Sequence, residues 1–165
     1  MNKELTIVID QETVDAYNQF YFSEHPKAYT PQITEVHHPS MNKWMIMSRP
    51  AMNNLKQKWK AFMIWICDSR GLSGMNIDRC SMRYVLYFPS KNHRRDNSNY
   101  TPKFIEDGLV DAHFLIDDSA EHVLSLSIES NHYSKENPRT EIIITILDGG
   151  SSIQLPTVKT VGLNT

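Results

Sequence analysis

The spacing of apolar residues along the chain first predicts a long amphipathic helix. From about residue 50 to residue 67 the apolar positions recur every three or four residues, the period of a helix with one buried face. That stripe consists of Leu55, Trp59, Phe62, Met63 and Ile66. Ser48 suits the cap of this helix and Pro50 suits its first turn.

A second, shorter helix is predicted from about Thr101 to Ala112. Asn99 or Thr101 can cap it, and Pro102 fits its first turn. Its buried residues are expected to be Phe104, Ile105, Leu109 and Ala112.

Four other segments are rich in β-branched and aromatic residues and are predicted to be strands. They are residues 4–10, 80–89, 121–130 and 140–148. The turn between the last two is too short for a helical crossover, so these strands are predicted to form an antiparallel hairpin. The order β, α, β, α, β, β predicts a two-layer α/β sandwich with a mixed sheet.

The length of 165 residues suits one domain with a real core. Residues 10–38 are mixed in character and two prolines interrupt them, so residues 1–35 are predicted to be an N-terminal extension. Residues 36–148 are then the folded domain. Residues 149–165 are predicted to be a flexible tail or an arm that orders on a partner.

The composition, with 40% hydrophobic and 22% charged residues, is typical of a soluble globular protein. No apolar run approaches the length of a membrane span, and the N-terminus lacks the layout of a signal peptide. The cytoplasm is therefore the expected compartment, with no membrane partner. Cys67 and Cys80 lie in apolar surroundings and are expected to be reduced structural thiols.

The small net charge of -2 conceals an asymmetry along the chain. Between Val36 and Arg95 there are 11 Lys/Arg and two acids, whereas the rest of the chain has 6 Lys/Arg and 17 acids. One interpretation is that basic and acidic faces complement each other within the fold or in a dimer. The other is a basic surface for a polyanion beside an acidic centre for a cation.

An acidic set follows the second predicted strand. Asp96 comes after that strand, Lys103 and Asp107 share a helix face at a spacing of four, and Asp117 and Asp118 precede the next strand. If the two strands are neighbours, these carboxylates can converge at one edge of the sheet. Oxygen ligands of this kind bind Mg²⁺, although solvated acids with no ligand are the plainer alternative.

Basic residues flank this acidic set and are candidates for phosphate contacts. They are Lys43, Arg49, Lys56, Lys58, Lys60, Lys91, Arg94 and Arg95. The alternative for the helix lysines is that they only solvate its outer face. Trp44 and Tyr100 suit either base stacking or a core role.

The segment "RRDNSNYTPKFIEDGLVDAHFLIDDS" resembles the core of the RusA family of Holliday junction resolvases. That core has Asp-x-Asp-Asn, a Lys, an Asp four residues later, a Leu and a final Asp-Asp pair. The matching residues are Asp96, Asn99, Lys103, Asp107, Leu109, Asp117 and Asp118, with one extra residue before Lys103. The upstream "PSMNKW" is similar to the family's Pro-Ser-x-Asn turn, so the resemblance covers roughly residues 36–147.

The resemblance implies a Mg²⁺-dependent endodeoxyribonuclease, with Mn²⁺ as a substitute ion, that acts as a homodimer on four-way DNA junctions in a bacterial or phage-infected cell. It implies that Asp96 and Asp118 hold the metal with help from Asp117. Lys103 would position the scissile phosphate, and Asp107 would hold Lys103 or act as a further ligand. The implied DNA-binding residues are Arg94, Arg95, Asn99, Asn42, Lys43, Lys56, Lys58 and Lys60.

One residue departs from the family pattern: Ser98 stands where the family has its second acid. Water, Asn99, Asp107 or Glu106 are the candidate substitutes for that ligand. If none serves, the expected function is a catalytically weak or inactive DNA-junction binding protein of the same fold. A third hypothesis is an interaction module whose charged faces bind another protein.

Overall fold

The computed structural model describes residues 2–147, which form one four-stranded mixed sheet with helices packed against it. The strands are β1 (Lys3–Ile9), β2 (Cys80–Phe88), β3 (Val123–Tyr133) and β4 (Arg139–Ile146). The helices are α1 (Gln11–Glu24), α2 (Met41–Trp44), α3 (Arg49–Ser69) and α4 (Lys103–Asp111), and a 3₁₀ turn at Asn97–Tyr100 precedes α4. This arrangement is consistent with the predicted two-layer α/β sandwich. The predicted tail, residues 149–165, lies outside the described residues.

One face of the sheet carries the core. Ile142, Ile144 and Ile146 of β4 are buried, while the residues between them are more exposed, as period-2 alternation requires. Register places Ile7 of β1 and Tyr84 of β2 on either side of Ile142. The helices bury Phe62, Met63 and Ile66 of α3 and Ile105 and Leu109 of α4 in the same core. The predicted apolar stripes of both helices therefore face the sheet.

The strand order is β1-β4-β2-β3, so the predicted hairpin between the last two strands is wrong. β2 lies between them, parallel to β3 and antiparallel to β4. The short connection passes the end of β2, where Ser134 N donates to Phe88 O at 2.8 Å. The physical reason is burial. One face of β2 is buried, Val85 on its other face is buried as well, and such a strand is most stable in the middle of a sheet.

The N-terminal residues have a larger role than the predicted extension. β1 pairs with β4 over its whole length, and Val14 and Tyr17 of α1 enter the common core. The ring of Tyr17 lies 5.0 Å from that of Phe62 on α3. Asp10 caps α1 by accepting a 2.9 Å hydrogen bond from Thr13 N. Residues 2–35 therefore belong to the same sheet and core as the rest of the domain.

The starts of α3 and α4 differ in how well the sequence predicts them. Ser48 caps α3 as predicted, with its Oγ accepting from Ala51 N at 3.3 Å. α4 instead begins at Lys103, and Pro102 occupies the cap position without a side-chain hydrogen bond. Asn99 and Thr101 are therefore not its caps, because the 3₁₀ turn takes up the residues before Thr101.

Both cysteines are free and buried, which confirms the expectation of structural thiols. Burial raises the pKa of Cys67 to about 12 and that of Cys80 to about 11, so both remain protonated at neutral pH.

Candidate active site

Lys103 is the centre of a charged cluster at the start of α4. Its Nζ donates to Asp118 Oδ2 at 2.8 Å and lies 3.2 Å from Asp107 Oδ1. The hydrogen bond to Asp118 is the main reason that the pKa of Lys103 is raised. The lysine side chain is 55% exposed, whereas the two carboxylates are 16% and 22% exposed. An accessible ammonium group therefore sits on two largely covered acids.

Asp107 is held from its other side by α3. Its Oδ2 lies 3.1 Å from Lys56 Nζ, a contact that lacks hydrogen-bond geometry and is therefore mainly electrostatic. One turn further along, Lys60 Nζ lies 2.8 Å from Asp111 Oδ2. Lysines of α3 thus neutralise aspartates of α4. Part of the charge asymmetry of the sequence is therefore accounted for by pairing within the fold.

These pairs change the expected role of the helix lysines. Lys56 and Lys60, two predicted DNA-binding residues, instead join α3 to α4. Lys58 forms no ion pair among the described residues and lines a surface cleft beside α1 with Tyr17 and Tyr21. Of these three lysines, Lys58 alone is left available for a phosphate.

Glu106 is one of the residues that the sequence offered in place of the missing second motif acid, although it was not among the predicted site residues. It is only 8% exposed, and its Oε1 has no hydrogen-bond partner. Burial, reinforced by the charge of Asp118, raises its pKa to about 7, while Lys103 opposes the shift. Helical spacing offered a signal, because Glu106 precedes buried Leu109 by three residues and therefore shares its face.

Two of the predicted metal ligands lie outside this cluster. Asp96 pairs with Arg94 at 3.7 Å and is 66% exposed, and no contact joins it to Lys103, Asp107 or Asp118. Asp117 accepts a hydrogen bond from Ser119, which is the main cause of its lowered pKa. Over residues 2–147, no group of three or more His, Cys, Asp or Glu side chains is arranged to hold a metal ion. The structure therefore brings together Asp107 and Asp118 of the four predicted ligands.

The asparagine side chains of the 3₁₀ turn anchor that turn to neighbouring segments. Asn99 Oδ1 accepts from Asn42 N at 2.9 Å, which ties the "PSMN" segment to the turn. Asn97 Oδ1 accepts from Ser130 N at 2.8 Å, which ties the turn to β3. Lys43 lies 3.7 Å from Glu35 in a weak, exposed ion pair. The side chain of Asn99, predicted to bind DNA, therefore fixes the loop that carries Asp96 and Ser98, whereas Asn42 contributes only its backbone N–H to this contact.

A basic cleft of about 560 Å³ lies beside this turn. Its lining includes His37, Lys43, His93, Arg94, Arg95 and Tyr100. The guanidinium of Arg95 stacks 3.8 Å from the Phe88 ring centroid and donates to His93 O at 3.1 Å, so Arg95 braces the loop. Arg94, in contrast, has a side chain that is 92% exposed. Of the two predicted arginines, Arg94 is the more accessible to a phosphate, although it pairs with Asp96 at 3.7 Å.

The aromatic candidates have core or turn roles. Trp44 packs on Phe104 with ring centroids 5.8 Å apart, and Tyr100 lies 5.6 Å from Phe88. Both rings are partly buried against the core.

Comparison with known proteins adds no family assignment. No protein-family model matches the chain, and no curated protein has significant sequence similarity to it. The resemblance to RusA therefore rests on the motif residues themselves. Within residues 2–147, no helix has the length and apolar character needed to cross a membrane.

The donors in the cluster have the chemistry that the implied Mg²⁺ requires. Asp107 and Asp118 offer carboxylate oxygens to one shared cation, which here is the Lys103 ammonium. Hard divalent ions take such oxygen ligands, often with only one or two carboxylates and several waters.

Proposed function

We propose that the protein is a Mg²⁺-dependent, structure-specific endodeoxyribonuclease of the RusA type that cuts four-way DNA junctions. The observation that carries this proposal is the contact of Lys103 with both Asp107 and Asp118. These three residues match the family motif, and they come from α4 and from the loop before β3. Two acids can hold a metal ion and a nearby lysine can stabilise developing phosphate charge, which are both contributions that metal-assisted phosphodiester hydrolysis uses.

The residues of the cluster would have separate roles in hydrolysis: metal binding, stabilisation of the phosphate and orientation of a ligand. Asp107 and Asp118 would hold the ion, and a bound Mg²⁺ would polarise the phosphodiester and lower the pKa of the attacking water. The exposed Lys103 ammonium stabilises the charge that develops on the scissile phosphate. Lys56 keeps Asp107 oriented through its 3.1 Å contact.

DNA affinity comes from the basic surface beside the cluster. Arg94 and the cleft next to the 3₁₀ turn provide positive charge for the phosphates, and Lys58 provides a further cation on α3. Because a four-way junction needs two symmetric cuts, the proposed active form is a homodimer. The proposed place of action is the cytoplasm of a bacterium or a phage-infected cell, and light scattering of the purified protein tests the dimer.

The decisive experiment is cleavage of an end-labelled four-way junction by the purified protein with Mg²⁺ or Mn²⁺. We expect paired nicks, and about a 100-fold loss of rate in Asp118→Asn and in Lys103→Met. Asp111→Asn, on the same helix but paired with Lys60, is the matched control and should cut normally. The nuclease proposal fails if the wild type leaves junctions uncut while a Ser98→Asp variant cuts them.

A second candidate is a junction-binding protein without cleavage. The placement of Asp96 favours it, because this acid is paired with Arg94 and apart from Asp118, and Ser98 offers no carboxylate. Gel-shift binding to the junction without divalent ions, unchanged by Asp118→Asn but weakened by Arg94→Gln, would identify this function. Binding that requires Asp118 and Mg²⁺ would reject it.

A further inference from the structure

β3 is a long edge strand whose outer margin is uncovered in the described part of the chain. Within residues 2–147 it pairs only with β2, because the strand order is β1-β4-β2-β3. Its residues 124–127 are all exposed, although successive residues point to opposite faces of the sheet. From Val123 to Ile128 the strand has no charged residue and no proline, which are the usual devices that keep an edge strand from pairing with another chain. This edge is therefore open to a further strand.

The helix-side face of β3 is apolar at the same place. The register aligns Leu126 with Met82 of β2 and Ile128 with Tyr84 of β2. Met82 and Tyr84 are 2% and 0% exposed, whereas Leu126 is 44% exposed and Ile128 is only partly buried. The apolar row of the core thus continues past the area that the helices cover, and it ends in an aliphatic pair at the margin of the sheet.

The length of edge that can accept a strand is defined at both ends. Ser125–Glu129 runs in unbroken register with Ser81–Val85, and the pairing of the two strands is irregular on either side of that run. Beyond it, Asn97 Oδ1 accepts a 2.8 Å hydrogen bond from Ser130 N, so the 3₁₀ turn already occupies the edge there. The available segment is therefore Ser125–Glu129, with Ser127 at its middle.

We propose that Ser125–Glu129 pairs antiparallel with the same segment of a second copy of the chain, across a two-fold axis at Ser127. Two four-stranded sheets then join into one sheet of eight strands. An axis perpendicular to the sheet keeps each side chain on its own face, so Leu126 lies opposite the partner's Ile128. Each Glu129 lies opposite a serine. Aliphatic side chains therefore meet twice, and no like charges stand opposite each other.

A second copy is favoured over another partner because the segment matches itself on both faces only about this axis. An axis at Leu126 would bring in Leu124, where the register with β2 is irregular. An axis at Ile128 would bring in Ser130, which the 3₁₀ turn occupies. The inference rests on the homodimer of the proposed function and names the surface that forms it.

Cysteine cross-linking tests the register in the full chain. Opposite Cβ atoms of an antiparallel pair are about 4.5–5.5 Å apart, so Ser127→Cys should give a disulfide-linked dimer when diamide is the oxidant. Ser125→Cys would lie about 13 Å from its copy and should stay unlinked. Thr6→Cys, at an exposed position of β1, is the matched control and should also stay unlinked. The native Cys67 and Cys80 are buried and do not compete.

The dimer dissociation constant gives a second, independent measurement. Sedimentation equilibrium over a range of protein concentrations should show a dissociation constant about tenfold or more higher for Leu126→Lys than for wild type, because a charge replaces two aliphatic pairs. Ile46→Lys, at an aliphatic residue that is 86% exposed and lies between α2 and α3, should dimerise as the wild type does. Thermal unfolding checks that each variant is folded.

Three results would overturn the pairing: a monomer at every concentration, a dimer unaffected by Leu126→Lys, or equal cross-linking of Ser125→Cys and Ser127→Cys. A monomer would leave the edge to an extended segment of another protein. Junction cleavage measured in parallel separates this proposal from the nuclease. The expected cross-linking without any cleavage supports the pairing and rejects the nuclease. Cleavage by a dimer that Leu126→Lys does not weaken rejects this surface and leaves the nuclease in place.

Discussion

Gly108 of α4 lies directly against Met63 of α3. A Cβ atom at Gly108 would stand 2.6 Å from Met63 Cβ, closer than packed atoms allow, and 3.2 Å from Lys60 O, which is a tight contact. The absence of a side chain at Gly108 is therefore what lets α4 approach α3. That approach brings Asp107 within 3.1 Å of Lys56 and so sets one side of the candidate site.

Gly108→Ala should destabilise the protein, although alanine is the better helix former. Overpacking of a close helix contact costs about 1–3 kcal/mol, which exceeds the roughly 1 kcal/mol gained in helix propensity. Urea unfolding monitored by circular dichroism measures the change. Gln57→Ala, at an exposed position of α3 with no ion pair among the described residues, is the control and should change stability by less than about 0.5 kcal/mol. An equally or more stable Gly108→Ala would contradict the close contact.

Glu106→Gln should alter the pH dependence of stability. The pKa of Glu106 is raised from 4.5 to about 7 in the folded protein, so the native state binds more protons than the unfolded state between these values. The stability from this group is complete below about pH 4.5 and is lost as the pH rises through about 7.

The glutamine variant cannot ionise, so it should be more stable than the wild type at pH 8, by about 3 kcal/mol at most. The two proteins should be nearly equal at pH 4.5. Chemical denaturation at both pH values tests this, with Glu121→Gln as an exposed control. A wild type that gains stability between pH 5 and pH 8 relative to Glu106→Gln would refute the assignment.

Lys56→Gln and Lys58→Gln should separate stability from DNA binding. Loss of Lys56 leaves Asp107 Oδ2 covered and unpaired, which should cost about 1–2 kcal/mol in urea unfolding. Lys58 has no ion pair among the described residues, so its loss should leave stability unchanged and weaken junction binding. The opposite assignment of the two effects would show that the α3–α4 ion pairs are not structural.

Arg94→Gln should lower junction affinity in a way that depends on salt. Each phosphate contact that is lost reduces the slope of log affinity against log salt by about 0.9. Fluorescence anisotropy between low and moderate salt gives that slope. Arg83→Gln is the control, because Arg83 pairs with Glu129 on β3 and should leave the slope unchanged. A slope unaffected by Arg94→Gln would remove this residue from the DNA surface.

Local patterns predicted α3 and α4, whereas α1 lies in the segment predicted as an N-terminal extension and was missed. Trp59, Phe62 and Ile66 are buried on one face of α3 because the apolar period of the sequence matches the helical repeat. Ser48 caps that helix because its hydroxyl oxygen accepts a hydrogen bond from the helix backbone, which the residue type alone predicts. The spacing of Lys103 and Asp107 likewise predicted their contact, since positions four apart on a helix are neighbours.

Features that depend on distant residues were predicted less well. The hairpin prediction was wrong because β2, which buries one face and also Val85 of the other, lies between β3 and β4 despite their short connection. The ion pair between Lys56 and Asp107 joins two helices whose packing no local pattern specifies. Asp96 was expected beside Asp118, but the loop that carries it is directed elsewhere by the anchors of Asn97 and Asn99.

The position of β4 between β1 and β2 has a consequence for how the chain folds. β1 ends at Ile9, yet within residues 2–147 it pairs only with β4, a strand that begins at Arg139. During synthesis, β1 therefore waits unpaired until more than a hundred further residues have left the ribosome. Such distant pairing slows folding and leaves an apolar strand exposed meanwhile. Until β4 has formed, the described part of the chain cannot complete its sheet.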